Sequence, residues 1–164
     1  MKKMMVLTAA LAVVLAGCGS SSKKSAAGPD VQRQADLYAI DQIERTWHKA
    51  ASTQNVDLMM SIWADDATFN LGTETLRGKA QIRAFWAHKA GPFQPGNHWV
   101  SDTPAFKIRT TVSGDKGTLY FECHYVDVKT GKVVLVVGAD QNVERINGKW
   151  LITSLSAATP KLGP

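Results

Sequence analysis

The spacing of apolar residues changes once along this chain, at Pro95-Gly96, and this change constrains the fold more than any other sequence feature. Before it, apolar residues recur every three or four positions, as on one face of a helix. After it, they alternate with polar residues over four long segments, as in strands that bury one face. We therefore expect one α+β domain, with a curved antiparallel sheet wrapped on three N-terminal helices.

The helical half divides into three segments. The first covers residues 31–52, with its apolar residues in one stripe. Asn55 caps a short second helix, which we expect Asp65-Asp66 to end. Residues 67–71 are predicted as a short strand, and the third helix covers residues 80–89.

The second half reads as four strands, residues 100–112, 117–128, 132–146 and 149–158. Gly114-Asp115 and Asn147-Gly148 are typical of tight hairpin turns. A two-residue turn at Gly114 pairs Ser113 with Lys116. In each strand, successive side chains point to opposite faces of the sheet, and this register decides which side chains point to which face. It directs Phe106, Ile108, Phe121, Cys123 and Tyr125 toward the helices, and Lys107, Arg109, Glu122 and His124 away from them.

The amino terminus has the layout of an export signal, with Lys2 and Lys3 before an apolar run that ends in Leu15-Ala16-Gly17-Cys18. This ending resembles the lipobox of bacterial lipoproteins. The resemblance implies cleavage after residue 17 and acylation of Cys18, which would hold the protein on a membrane. Residues 18–30 are predicted as a flexible tether because they are rich in Ser, Gly, Lys and Ala.

The same resemblance predicts where in the cell the protein is located. The lipobox implies a lipid-anchored protein of the cell envelope. Gly19 follows the lipidated cysteine, where an aspartate usually marks retention in the inner membrane. We therefore expect the periplasmic side of the outer membrane if the cell is Gram-negative.

The length of the rest of the chain, residues 31–160, is enough for a single domain. Removing residues 1–17 takes away two lysines, leaving 17 basic and 14 acidic residues and a net charge of +3. The basic residues are scattered without interleaved aromatics, so a nucleic-acid partner is not expected. With Cys18 lipidated, Cys123 has no disulfide partner, and we expect a buried free thiol.

Several motifs resemble the nuclear transport factor 2-like fold in its SnoaL-like, ketosteroid-isomerase-like branch. The resemblance covers roughly residues 37–158. The motifs are Asn55-Val56-Asp57, Trp63-Ala64-Asp65-Asp66-Ala67-Thr68-Phe69, Leu76-Arg77-Gly78-Lys79, Ile82-Arg83-Ala84-Phe85 and Gly148-Lys149-Trp150-Leu151-Ile152. The family fold is a cone whose pocket serves enzymes, binders and domains of unknown role.

The isomerase branch has three catalytic positions, which we locate here by counting residues along the chain. Counted from Asp65-Asp66, the base position falls on Leu71 and the tyrosine position on Trp47. Counted from the turn at Gly131, the position of a late acid falls on Asp140. Leucine cannot accept a proton, and indole cannot act as a phenol would. Counted backward from Asn147-Gly148, the position of the late acid falls on Asn142 instead. A two-residue loop at Thr130-Gly131 turns Asp140 into the cone, whereas a three-residue loop turns it outward.

Aromatic residues mark the candidate ligand pocket, namely Trp47, Phe69, Trp86 and Tyr125, with His98 as a polar contact at its rim. The four histidines show no metal-ligand spacing, and no motif indicates a cofactor.

These patterns favour a membrane-tethered domain that binds a small apolar ligand or a protein partner without catalysis. The alternative is a SnoaL-like enzyme that performs acid-base chemistry on a cyclic or carbonyl compound, with Asp140 as its acid. The outward residues Val126 and Val128, with an alternating set in residues 133–137, also predict a homodimer.

Overall fold

The computed structural model of the chain describes residues 28–162. Cys18 and the motif before it lie outside the described residues, as does most of the predicted tether. Helix α1 begins at Pro29, two residues earlier than expected, because proline is well suited to the first turn of a helix. The elements are α1 (Pro29–Ser52), α2 (Val56–Met60), β1 (Trp63–Asn70), β2 (Thr75–Arg77), α3 (Gly78–His88), β3 (Trp99–Asp102), β4 (Ile108–Ser113), β5 (Lys116–Asp127), β6 (Lys132–Ile146) and β7 (Lys149–Ala158).

The strands in this part of the chain form one sheet in the order β2-β1-β7-β6-β5-β3, and β4 pairs with β5. The sheet is mixed, because β1 runs parallel to β7 whereas the other pairs are antiparallel. Helix α1 packs against β3, β4, β5 and β7, and α3 packs against β1. This arrangement confirms the predicted α+β fold. Within residues 28–162, no helix has both the length and the apolar character needed to cross a membrane.

Both predicted hairpin turns are confirmed. Ser113 lies opposite Lys116, and Ile108 opposite Phe121, as the two-residue turn requires. Asn147 and Gly148 have φ values of 51° and 78°, the left-handed conformation on which such a turn depends.

The predicted strand over residues 100–112 is wrong, because Pro104 interrupts it. Proline has no N–H for the strand ladder, and the chain instead forms a short 3-10 turn over Ala105–Lys107. Phe106 therefore leaves the sheet and is 59% exposed, whereas we expected it to face the helices.

The predicted role of Asp65-Asp66 at a helix end is also wrong. Both aspartates lie exposed within β1, which is longer than expected at its start. The Ile62 carbonyl accepts a 2.8 Å hydrogen bond from the Ile152 N–H, so pairing with β7 begins just before β1. This long-range pairing, invisible in the local sequence, extends the strand.

Candidate functional site

An apolar cavity of about 190 Å³ lies between the inner face of the sheet and helices α1 and α3. Four of the predicted pocket residues line it, Trp47 from α1, Phe69 from β1, Trp86 from α3 and Tyr125 from β5. Leu135 also lines the cavity and is 40% exposed, which places it at the rim. The cavity is therefore built from distant parts of the chain.

Ring contacts hold the aromatic wall in place. The Trp47 and Trp86 rings meet edge to face with their centroids 4.9 Å apart. Phe69 stacks on Trp86 at 5.8 Å and 21°. Trp47 also meets Phe121 edge to face at 5.6 Å. Such packed rings lose little freedom when a ligand binds, which favours a preformed site.

A group of buried polar side chains lies next to this wall, and we call it the polar cluster. Its members are Glu44, His48, Ser101, Thr103 and Cys123. Nε2 of His48 lies 2.8 Å from Glu44 Oε1 and 2.7 Å from Thr103 Oγ1. His48 Nδ1 lies 2.5 Å from Ser101 Oγ and 3.8 Å from Cys123 Sγ. Ser101 Oγ is also 2.8 Å from Cys123 Sγ.

Three elements position the polar cluster. Glu44 and His48 are four residues apart and share one face of α1. Ser101 on β3 is tied to the last turn of α1, because its N–H donates to Ser52 Oγ at 2.8 Å. Cys123 on β5 is a buried free thiol, as predicted.

Sequence reasoning missed the polar cluster because it tested Cys123 only against the adjacent His124. The histidine that Cys123 meets is 75 residues away in the chain. The one local signal was the spacing of Glu44 and His48 on the buried side of α1.

The pKa of His48 reflects opposing effects. Burial lowers it, but hydrogen bonding with Cys123 and Glu44 outweighs burial and raises the pKa to about 9. At neutral pH the imidazole is therefore doubly protonated, and it forms a buried ion pair with Glu44.

Tyr125 connects the polar cluster to the cavity. Burial raises the pKa of its phenol well above the ordinary value, and the neighbouring Cys123 side chain raises it further. The nearby Trp47 and Ser101 side chains act in the opposite direction and lower the pKa. Tyr125 is thus a neutral hydroxyl on the wall of an apolar cavity.

Comparison with known proteins agrees with this architecture. Residues 32–156 match the model of the SnoaL-like domain family. The chain belongs to this family. No curated protein matches it.

Solved structures share the fold of this SnoaL-like domain. A protein of unknown function from Mycobacterium tuberculosis is 17% identical, with a TM-score of 0.67 over 82% of this chain and 78% of that chain. An NTF2-like protein with a cystatin-like fold from Novosphingobium aromaticivorans is 16% identical, with a TM-score of 0.67 over 82% and 88%. A type 2 hexachlorocyclohexane dehydrochlorinase, LinA, is 22% identical, with a TM-score of 0.61 over 82% and 95%.

Two of the three isomerase positions counted from the sequence lie at the cavity of the SnoaL-like domain. Leu71 and Trp47 line it. These two residues therefore belong to the cavity wall, although neither side chain offers the base or the phenol of the isomerase branch.

Asp140 does not reach the cavity. It lies opposite Tyr120 on the outer face of the sheet and pairs with Lys161. The β5–β6 loop has four residues. A β-bulge beyond it adds one residue to β6, because Val126 pairs with Val133 whereas the next residue inward, Tyr125, pairs with Leu135. Loop and bulge together give the register of the three-residue alternative, so assigning Asp140 to the pocket is wrong.

His98 does not line the cavity either. It is exposed and precedes β3, where its carbonyl accepts a hydrogen bond from the Val128 N–H at 3.2 Å. The predicted rim contact is therefore not made. No three histidine, cysteine, aspartate or glutamate side chains within residues 28–162 are arranged to hold a metal ion.

The outer face of the sheet differs from the expected solvated surface. Glu122 and Lys107 point away from the helices, as predicted, but both are buried and form a 3.0 Å ion pair. The last described residues, 159–162, cover them, and we call these residues the C-terminal segment. Glu122 accepts hydrogen bonds from the N–H groups of Lys161 and Leu162 at 2.7 and 2.5 Å.

Proposed function

We propose that this SnoaL-like domain is a membrane-tethered binder of a small, uncharged aromatic molecule. The supporting observation is the cavity of about 190 Å³, whose wall carries Trp47, Phe69, Trp86 and Tyr125. An apolar cavity of roughly 150 Å³ is known to stay dry and to accept benzene. The volume fits one ring with a small substituent, and the packed aromatic wall offers it edge and face contacts.

Calorimetric titration of the full-length Cys18→Ser chain with toluene tests the binding. We expect saturable binding that Ala139→Leu abolishes, because Ala139 lines the cavity and the added carbons would fill it. Ala105→Leu is the matched control, since Ala105 is exposed and lies outside the cavity. Equal toluene binding by the two variants, or none by the parent chain, would contradict the proposal.

The enzyme alternative has weaker support. LinA, one of the solved relatives, is a dehydrochlorinase, but an identity of 22% supports a shared fold and nothing about chemistry. The acid that the alternative required, Asp140, lies outside the cavity and is paired with Lys161. A binding role therefore accounts better for the apolar lining.

Membrane tethering is supported by the lipobox alone. We expect Cys18→Ser to abolish membrane association while the domain stays folded, since the acyl chains provide the anchoring free energy. Incorporation of labelled palmitate by cells that express each form is the measurement, and Cys123→Ser is the matched control. Equal labelling of the parent chain and Cys18→Ser would remove the proposal.

A further inference from the structure

Most of the cavity wall belongs to α-helices and strands, but part of it is a loop. This loop covers residues 89–98 between α3 and β3, and we call it the mouth loop. It contributes Ala90, Gly91 and Pro92 to the cavity, whereas every other lining residue except Leu71 belongs to an α-helix or a strand. Gly91 is exposed and therefore lies at the rim. A wall opens most readily where it lacks regular hydrogen bonding, which makes the mouth loop the candidate gate.

One side chain ties the middle of the mouth loop to the end of helix α1. Nε2 of Gln54 donates to the Pro92 carbonyl at 3.3 Å. The same nitrogen donates to the carbonyls of Gln94 and Asn97 at 3.3 and 3.1 Å. Among the described residues, the other hydrogen bonds of residues 91–97 stay within the loop or reach the first residue of β3. The Gln54 amide is therefore the polar connection between this loop and the helix.

The backbone of Gln54 has an uncommon conformation. Its φ is 54°, in the left-handed region. A position just after a helix with this conformation is most often occupied by glycine, because a β-carbon is strained there. The side chain of Gln54 makes its hydrogen bonds to the mouth loop. A strained residue whose side chain holds the wall of a cavity points to a function for that side chain.

The contacts of the mouth loop differ in how easily they can open. Phe93 anchors the loop on its apolar side, since it is 7% exposed and its ring centroid lies 5.4 Å from that of Trp86. Gln54, in contrast, is exposed. Its amide and the three carbonyls can therefore exchange their mutual hydrogen bonds for water without leaving a buried group unpaired. The amide acts as a latch that can release.

We propose that the mouth loop is the gate of the cavity and that Gln54 is a positioning residue, the latch that sets how fast a ligand enters and leaves. This inference rests on the proposed binding function and names what controls exchange at the same site. Gln54 does not line the cavity. Weakening the latch therefore changes the association and dissociation rates by the same factor and leaves the affinity unchanged, because both directions use the same opening.

Exchange of 4-fluorotoluene, followed by fluorine NMR, tests the gate in the full-length Cys18→Ser chain. We expect Gln54→Glu to raise the association and dissociation rate constants about tenfold each, the effect of one lost hydrogen bond. This substitution keeps the shape of the side chain but removes the donors that face the carbonyls. The dissociation constant should stay within about twofold of the parent value.

Gln81→Glu is the matched control, because it makes the same chemical change on an exposed glutamine of α3. Gln81 Oε1 accepts a 2.9 Å hydrogen bond from the Arg77 N–H, which a carboxylate would keep. We expect this control to leave both rate constants unchanged.

Two further variants separate the latch from the strain in the backbone. Gln54→Lys places an ammonium group with three donors opposite the three carbonyls, so exchange should stay as slow as in the parent chain. Gln54→Gly relieves the strain of the positive φ but lacks the amide. Exchange should therefore accelerate in Gln54→Gly as it does in Gln54→Glu.

Each outcome has a distinct meaning. Unchanged rates in Gln54→Glu, or a rise in the dissociation rate alone, overturn this inference, because the loop is then a fixed wall. The binding function stands in both cases. Absence of bound 4-fluorotoluene in the parent chain overturns the binding function and this inference together.

Discussion

At the scale of single residues, the carboxylate of Glu122 shows how a charged group is kept inside the molecule. Burial raises its pKa, but hydrogen bonds from the Leu162 N–H, Lys107, Tyr120 and the Lys161 N–H outweigh burial and hold the pKa at about 2. The folded-state value lies below the ordinary 4.5. The pair therefore stabilises the fold above pH 4.5, and this contribution is lost as the pH falls from 4.5 toward 2.

We expect Glu122→Gln to lower the free energy of unfolding by about 3 kcal/mol at pH 7, because Lys107 would keep its charge in a buried position. The deficit should shrink as the pH falls from 4.5 toward 2. Urea unfolding at several pH values measures it. Asp65→Asn removes an exposed carboxylate and is the control. A deficit that stays constant down to pH 2 would contradict this explanation.

At the scale of elements, local turn chemistry was enough to predict the β4–β5 register, since Gly114 requires a tight turn and apolar residues must meet apolar residues. It was not enough for Asp140. That position depends on a loop length and a bulge, two features that shift the register in opposite senses. The aromatic lining was predictable for the most part, because Trp47 and Trp86 fall on the apolar faces of their helices and the Gly114 turn directs Tyr125 inward. The polar cluster was not predictable, since it joins strands to a helix across long stretches of chain.

Gly117 marks the close approach of α1 to the sheet. A β-carbon at this position would lie 2.6 Å from the Thr111 carbonyl oxygen and 3.0 Å from Ile40 Cδ1. We expect Gly117→Ala to destabilise the fold by about 1–3 kcal/mol, the usual cost of overpacking. Thermal unfolding measures the effect, with Gly28→Ala as the control because nothing lies within 4 Å there. Equal stability of the two variants would show that α1 and β4 can move apart.

At the scale of the whole molecule, the end of the outer sheet face near the β5–β6 hairpin remains exposed and apolar. Val128 and Val133 are 57% and 53% exposed, and Val100 on the edge strand is 38% exposed. The C-terminal segment covers a different part of this face. The homodimer predicted from the sequence therefore has the hairpin end of the face as its candidate interface.

We expect the full-length Cys18→Ser chain to sediment as a dimer at micromolar concentration. The double variant Val128→Asp, Val133→Asp should shift it to a monomer, because charges would be buried without partners. Val31→Asp alters a 62% exposed valine on α1 and should leave the dimer intact. A monomeric parent chain would exclude the dimer.

Helix α1 runs from the β4–β5 turn at one end of the domain to the cavity at the other end. Pro29 lines the same surface pocket as Ser113 and Gly114 of the β4–β5 turn. Trp47, at the cavity, is eighteen residues further along the helix, a rise of about 27 Å. A domain suspended from its amino end would therefore hold the rim of its cavity at the far side from the lipid. Loading would then draw on molecules dissolved in the surrounding compartment, and the loading rate would follow their aqueous concentration, which partitioning into the membrane lowers.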